Sequence, residues 1–307
     1  MNYGPLIFLA AFFALAASWF GFVLTPQMQV GHLQPTNTIP AGVSYPVSRP
    51  GSAKEGIDVY RANGCAYCHS QQAGQTATVC NVMLTDAGTN QTALISALRG
   101  VNPKLSEAEA KRLVGNLPTA VLEGVKKQAA DVAAKELKVG DAKTEVWIVP
   151  VGPDIARGWG RRHSVAEDFL YDYPVVLGAQ RIGPDLANIG SRQPDPNWHL
   201  LHLYAPNSKV TDSTMPPYRF LFEERKIEHR ISPDALPLTG NLAPPTGFEI
   251  IPKAEARVLV AYLLSLRADA PLFDAPLTVP APPPATNAPG ASASAGATNT
   301  ATSAPAK

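Results

Sequence analysis

Cys65-Ala66-Tyr67-Cys68-His69 is the stretch that decides how this chain is read. Two thiols at this spacing can form thioether bonds to the two vinyl groups of a haem, and the histidine that follows directly is placed to bind the iron from one face. A bare Cys-x-x-Cys is ambiguous between zinc, a redox disulfide and haem. The adjacent His, with no second Cys pair anywhere in the sequence, favours haem over a redox or zinc pair that merely precedes a histidine. The expectation is one covalently attached haem c, held by Cys65 and Cys68, with His69 as an iron ligand.

The composition sets the surroundings. A length of 307 residues suits two ordinary domains, and a net charge of +1 points to neither nucleic acid nor an acidic partner. Two of the three cysteines belong to the motif, so Cys80 stands alone, no internal disulfide framework is expected, and the lone thiol reads as structural. Covalent haem attachment in bacteria takes place outside the cytoplasmic membrane, which implies export. From Pro5 to Leu24 there is no charge, and Ser18 is the only clearly polar side chain. At about 1.5 Å per residue such a helix spans roughly 30 Å, the thickness of a bilayer's hydrocarbon core. The rival is a cleaved signal peptide, which normally opens on a basic region that Met1-Asn2-Tyr3-Gly4 lacks. Trp19 and Phe20 also suit an interfacial aromatic belt. A retained single-pass anchor in the cytoplasmic (inner) membrane is favoured, with the haem domain in the periplasm.

Outward from the motif, the chain divides into an anchor at 1–25, a proline-spaced linker at 26–52, a haem domain in two pieces at 53–72 and 153–267, a helical insertion at 73–152, and a disordered Pro/Ala/Thr-rich tail at 268–307. A helix starts near Ser52, with Ser52 as N-cap and Glu55 closing a capping box, and Gly64 ends it just before the haem cysteine. Near the other end, Val258, Tyr262 and Leu266 repeat at four-residue spacing, with Leu263 beside them. This last helix looks like the one that crosses the first in class I cytochromes. In the insertion, Ser106 with Glu109 opens one helix, and a second runs from about Pro118 to Leu137 with Val121, Val125, Val132 and Leu137 near one face. The expected fold class is therefore all-α: a class I cytochrome c-like haem domain with one transmembrane helix.

The second axial ligand sets what the iron can do, and methionine or histidine is the usual choice. Met1 is terminal, Met28 follows the membrane helix and Met83 lies in the insertion, which leaves Met215 in Ser213-Thr-Met-Pro-Pro217. Elimination and the rigidifying prolines favour Met215 over core filler. Bis-His ligation is the competitor, with His32, His163, His199, His202 and His229 available. His199 and His202 share a helical face but have no accompanying ligand set, and read as satisfied structural histidines. A His69/Met215 centre has both axial positions filled, so it exchanges single electrons and takes no small-molecule substrate. The chain is not an enzyme by itself on this reading.

Beyond a generic cytochrome, the segments Arg162-His-Ser-Val165, Asp168-Phe-Leu-Tyr-Asp-Tyr-Pro174, Arg181-Ile-Gly-Pro-Asp-Leu186 and Gly190-Ser-Arg192 occur in order. Trp198-His-Leu-Leu-His-Leu-Tyr204 and Ser213-Thr-Met-Pro216 follow them. With Gly64-Cys-Ala-Tyr-Cys-His-Ser-Gln71 and one N-terminal membrane helix, this order resembles the monohaem subunit II of cbb3-type cytochrome c oxidases over 1–72 and 153–267. The resemblance implies a membrane-anchored cytochrome c bound to a haem–copper catalytic subunit and receiving electrons from a dihaem cytochrome c subunit or another cytochrome c. It implies Cys65 and Cys68 as attachment points, His69 and Met215 as ligands, and Pro184 as the residue whose carbonyl accepts the His69 Nδ1–H. Arg181 and Arg192 are candidates to meet the haem propionates, with solvated surface positions the alternative. The chain departs from the family in the roughly eighty residues between the haem motif and the Arg-rich stretch, and in its tail. Other functions compatible with the motif are a membrane-tethered cytochrome serving another periplasmic reductase, or a haem-based gas sensor or peroxidase-like enzyme, which needs an open axial position.

Overall fold

Twenty-seven uncharged residues form the first helical run: α1 (Gly4–Trp19), a π-helical turn at Phe20–Leu24, and α2 (Thr25–Val30). Pro26 has no N–H to offer the carbonyl one turn back, and the wider π turn just before it absorbs that missing bond. At about 1.5 Å per residue the run is long enough to cross a bilayer core of roughly 30 Å. The computed structural model describes residues 3–38 and 42–272, so most of the expected tail, from 273 on, lies outside the described residues. Up to Pro194, together with the residues from Arg257 on, the described chain forms one unit; Asp195–Ala256 forms another.

After α2, the short strands β1 (Thr36–Asn37) and β2 (Ser44–Tyr45) pair antiparallel. The chain leaving them is bolted down by charge. Arg49 meets Asp172 through two bonds of 2.7 and 2.9 Å and also donates to the Ser265 carbonyl and hydroxyl.

α3 (Gly51–Ala62) buries Ala53, Gly56, Ile57 and Tyr60, the i, i+3, i+4, i+7 stripe of an amphipathic helix. Its N-cap is Pro50, in extended conformation, with no side-chain capping bond, so the expected Ser52–Glu55 capping box does not form: the helix already starts at Gly51. The buried stripe faces α10 (Ala254–Ser265), the last helix of the chain. A methyl group on Gly56 would sit 2.1 Å from the Val258 carbonyl oxygen and 2.6 Å from Tyr262 Cβ, so the two helices touch backbone to backbone. Tyr60 and Tyr262 meet edge-on at 5.3 Å, and the Tyr262 hydroxyl donates to Gln71 Oε1 at 2.9 Å. Gly56→Ala is expected to destabilise this unit by about 1–3 kcal/mol through overpacking, seen as a lower midpoint in chemical denaturation; an unchanged midpoint would show that the crossing has slack.

The region expected to be a helical insertion is instead mixed α/β, and the all-α expectation fails there. In chain order it comprises β3 (Ala77–Asp86), α4 (Gln91–Val101), α5 (Glu107–Gly115), β4 (Thr119–Val125), α6 (Lys127–Glu136) and β5 (Lys143–Val151). The strands form an antiparallel sheet in the order β4-β3-β5. Cys80, Val82 and Leu84 on alternate positions of β3 turn one face towards Leu94 and Leu98 of α4, Ala110 and Val114 of α5, and Ala130 and Ala133 of α6. The expected helix at 118–137 is a strand followed by a helix. Val121 and Val125, four apart, share a face in a strand as well as in a helix, while Val132 points to solvent, 54% exposed. The Ser106–Glu109 capping box does form: Glu109 N–H donates to Ser106 Oγ and Ser106 N–H to the Glu109 carboxylate. Cys80 is an apolar filler of this core, not a surface thiol.

Pairing of Ala77 with Val151, and donation from Thr76 N–H to the Val151 carbonyl at 2.9 Å, bring the two ends of the insert side by side. The chain then continues through α7 (Pro153–Ala156) and, further on, α8 (Ile189–Arg192), whose Gly190 lies against the Leu264 carbonyl of α10.

The second unit contains α9 (Pro196–Tyr204), capped by the Asp195 side chain, and an antiparallel pair, β6 (Phe222–Lys226) with β7 (Phe248–Pro252). This pair is a further departure from an all-α fold. An Arg225–Glu249 ion pair at 2.8 Å crosses it.

Candidate functional site

Asn63 closes α3 by returning its side-chain amide to the Val59 carbonyl, and Gly64, in the left-handed region at φ +69°, reverses the chain. A 3₁₀ turn over Cys65–Tyr67 follows, and the amides of Cys68 and His69 both donate to the Cys65 carbonyl. The motif is thus wound into one tight turn that carries both thiols and the imidazole. Cys65, Cys68 and Cys80 are all free thiols. Burial pushes the Cys65 thiol up to about 11, so it is protonated at neutral pH.

A strap from 177 to 187 lies along this turn. Ala179 N–H donates to Ala66 O, Gly183 N–H to Cys68 O, Leu186 N–H to Ser70 O, and Gln71 N–H to Leu177 O. The strap delivers Pro184, whose carbonyl oxygen is 2.8 Å from His69 Nδ1. A carbonyl can only accept, so Nδ1 carries the proton and Nε2 carries the lone pair. Burial lowers the His69 pKa, partly opposed by the hydrogen bond to Pro184, which favours the neutral ring a metal requires. Gly183 makes the approach possible: a methyl group there would lie 2.3 Å from His69 Cε1 and 2.7 Å from Nδ1.

Asp185, fully buried, holds the strap down. Its carboxylate accepts from Ser70 Oγ (2.5 Å) and from the amides of Gln72 and Ala187 (2.8 Å each). Arg181 donates to Ser70 Oγ, to the Gln72 carbonyl and, through two bonds, to Asp154. Arg192 donates to the Asp185 carbonyl, but its Nε is buried with no hydrogen-bond partner among the described residues. Burial brings the Arg192 guanidinium down to about 10, and its charge bears on His69. A buried donor without an acceptor among the described residues, with a histidine whose lone pair is on Nε2 and two thiols in the same turn, is a donor set that fits haem c: thioether bonds, an iron ligand, and a cation for a propionate.

Cys65, Cys68, His69 and Pro184 are therefore brought together. Met215 belongs to the second unit, half-buried in the loop between α9 and β6, where its amide donates to Ser213 Oγ at 3.3 Å. His199 is buried edge-on to Trp198, and the His202 ring stacks on Trp198 at 4.8 Å. His163 pairs with Gln75 at 3.1 Å. Among the described residues no group of three or more His, Cys, Asp or Glu side chains could hold a separate metal ion. Sequence reasoning gave no role to Asp154, Asp185 or Ser70. Ser70 directly follows His69 and Asp185 follows Pro184, so adjacency to the motif was the available clue; Asp154 offered none.

Residues 147–266 match the family model described as cytochrome c oxidase, mono-heme subunit/FixO, which supports a place for this chain in that family. Residues 80–146 match the ribosomal protein L7/L12 C-terminal domain. Among curated relatives, the large ribosomal subunit protein bL12 of Glaesserella parasuis is 37% identical over 93 residues, 30% of this chain and 75% of that protein. The bL12 proteins of Akkermansia muciniphila and Burkholderia ambifaria are 42% and 49% identical over 66 and 65 residues, or 22% and 21% of this chain. The chain spans about half the length of these last two, 53% and 52%.

Proposed function

We propose, for a chain whose 80–146 segment belongs to the L7/L12 C-terminal domain family and whose 147–266 region matches the oxidase mono-haem subunit, that it is a membrane-anchored monohaem cytochrome c feeding single electrons to the haem–copper catalytic subunit of a cbb3-type terminal oxidase. The L7/L12 kinship accounts for the fold of the insert. Its mixed α/β layer lies between the two pieces of the electron-transfer domain in sequence.

The observation that carries the reading is His69: the Pro184 carbonyl fixes its tautomer, and its lone pair is on Nε2, four residues after Cys65 and one after Cys68. Haem c, when bound, supplies a one-electron couple at its iron. Cys65 and Cys68 would hold it by thioether bonds, with His69 and Met215 as the proposed iron ligands. Pro184 orients the imidazole and strengthens it as a donor by accepting the Nδ1 proton. Arg192, with its unpartnered Nε, offers a propionate a charge-assisted hydrogen bond. Arg181 is occupied by Asp154, Ser70 and Gln72, which leaves Arg192 the better propionate partner of the two. The α1–α2 run anchors the chain in the inner membrane with this site on the periplasmic side, and a dihaem cytochrome c subunit is the proposed donor.

Two measurements test the proposal. The oxidised full-length protein is expected to show a methionine–iron charge-transfer band that Met215→Ala abolishes, and to resist added cyanide and carbon monoxide. Ready binding of either by the native protein would overturn the closed-site reading. Purification from the native membrane is expected to bring a haem–copper subunit along; its absence would sink the oxidase assignment while leaving the cytochrome.

A further inference from the structure

The haem motif and the inserted domain are connected by a continuous polar chain. Asp154 sits at the outgoing end of the insert and is 3% exposed. Its Oδ2 accepts the Gly74 amide of the incoming end at 2.7 Å and Arg181 Nη1 at 2.8 Å. Arg181 passes the link to Ser70 through Nε at 2.9 Å and to the Gln72 carbonyl through Nη2. Ser70 donates to Asp185, which also takes the Gln72 amide. Arg181 and Asp185 bracket Gly183-Pro184, the dipeptide that lies against the His69 ring and hydrogen-bonds its Nδ1.

We propose that Asp154 and Arg181 are positioning residues for His69, through which the junction of the inserted domain helps set the reduction potential of the haem. The inference rests on the covalent-haem reading and adds a role for the insert. The physical route is short. The strap backbone has no helix or strand between 179 and 188 to stiffen it, so its backbone bonds to residues 66, 68 and 70 and its side-chain anchors together fix where the Pro184 carbonyl lies. Asp154 is buried, and Arg181 is its counter-ion, its Nη1 donating to both carboxylate oxygens, with Arg157 further off at 3.9 Å. Removing Asp154 takes away the buried counter-ion of Arg181 and leaves its bonds to Ser70 and Gln72, whereas removing the Arg181 side chain takes away all three; in both cases the backbone bonds at 183 and 186 remain and the carbonyl of residue 184 is held less firmly. A weaker hydrogen bond at Nδ1 makes the imidazole a poorer donor, which disfavours the oxidised iron and raises the potential.

The test uses the full-length, haem-loaded protein in detergent, with Arg181→Met and the milder Asp154→Asn, the conservative Arg181→Lys, and Arg225→Met as a control in the other unit. Potentiometric titration is expected to move the one-electron equilibrium of Arg181→Met about threefold towards the reduced form, roughly 28 mV at 59 mV per decade. Asp154→Asn should shift in the same direction, Arg181→Lys should restore part of the effect, and Arg225→Met should show no shift. Amide exchange at Gly183, whose N–H donates to Cys68 O, is expected to quicken in the first two variants. Folded, haem-loaded variants with native potential and native Gly183 exchange would overturn the inference. A native protein that carries no covalent haem would overturn the site reading instead, and Gly183 exchange in that haem-free chain would still decide whether Arg181 and Asp154 hold the strap.

Discussion

Gly183→Ala is expected to displace His69, the proposed iron ligand, from its place against the strap. The added methyl lands 2.3 Å from His69 Cε1, more than 1 Å inside ordinary contact at 3.4 Å, and the strap backbone that carries it is tied to Cys68 and Ser70. Ring and strap cannot both stay, so the 2.8 Å bond to Pro184 breaks or the imidazole turns away. Overpacking of this kind costs about 1–3 kcal/mol. On the proposed haem c reading the spectroscopic effect should be larger than the thermal one: attachment through Cys65 and Cys68 would persist, while the iron would lose its His69 ligand and the native absorption with it. A native spectrum together with native stability in this variant would mean that His69 lies elsewhere when haem is bound.

Asp168→Ala is expected to be the most destabilising single truncation outside the motif. The Asp168 carboxylate accepts two bonds from Arg162 at 2.7 and 3.0 Å, one from the Tyr45 hydroxyl at 2.7 Å and one from the Val165 amide at 2.9 Å. Both ionic side chains are 1% exposed. Removing one partner leaves a buried guanidinium without its counter-ion, which costs about 3–5 kcal/mol, whereas breaking the exposed Lys127–Asp131 pair costs under about 0.5 kcal/mol. Urea titrations of Asp168→Ala and Lys127→Ala, run side by side, should therefore separate widely; similar midpoints would show that water reaches Arg162. Replacing both Arg162 and Asp168 by Met and Leu should recover much of the loss, because it removes the orphaned charge as well as the bond.

What could be read in advance follows from the range of each interaction. The Cys-His turn, the Ser106–Glu109 cap and the four-residue stripe of the last helix are local, and each was legible in a window of a few residues. The sheet of the insert was not. Val121 and Val125 satisfy a helical and a strand period equally, and the Ala- and Lys-rich 127–136 segment drew the preceding strand into one long helix. The real cues were the β-branched residues at 77–86 and 143–151, which pair with each other across some seventy positions. The Ser52 cap failed for a related reason: Pro50 had already set the helix start, so a good capping residue fell inside the first turn. In the candidate site, the motif, Pro184 and Arg192 were named from sequence. Asp154 and Asp185 escaped because a buried carboxylate gains its meaning from partners 27 to 115 residues away.

The adjacency of Thr76 and Val151 has a consequence for chain entropy. A flexible segment of the insert's length would have to be closed into a loop before residues 74 and 154 could sit side by side. Relative to a turn of about four residues, that closure costs roughly 2–3 kcal/mol. A folded insert holds its own ends together, so it presents the rest of its unit with the equivalent of a tight turn. Melting the insert lengthens that turn while leaving the Cys65–His69 turn in place, and loosens the strap by entropy alone.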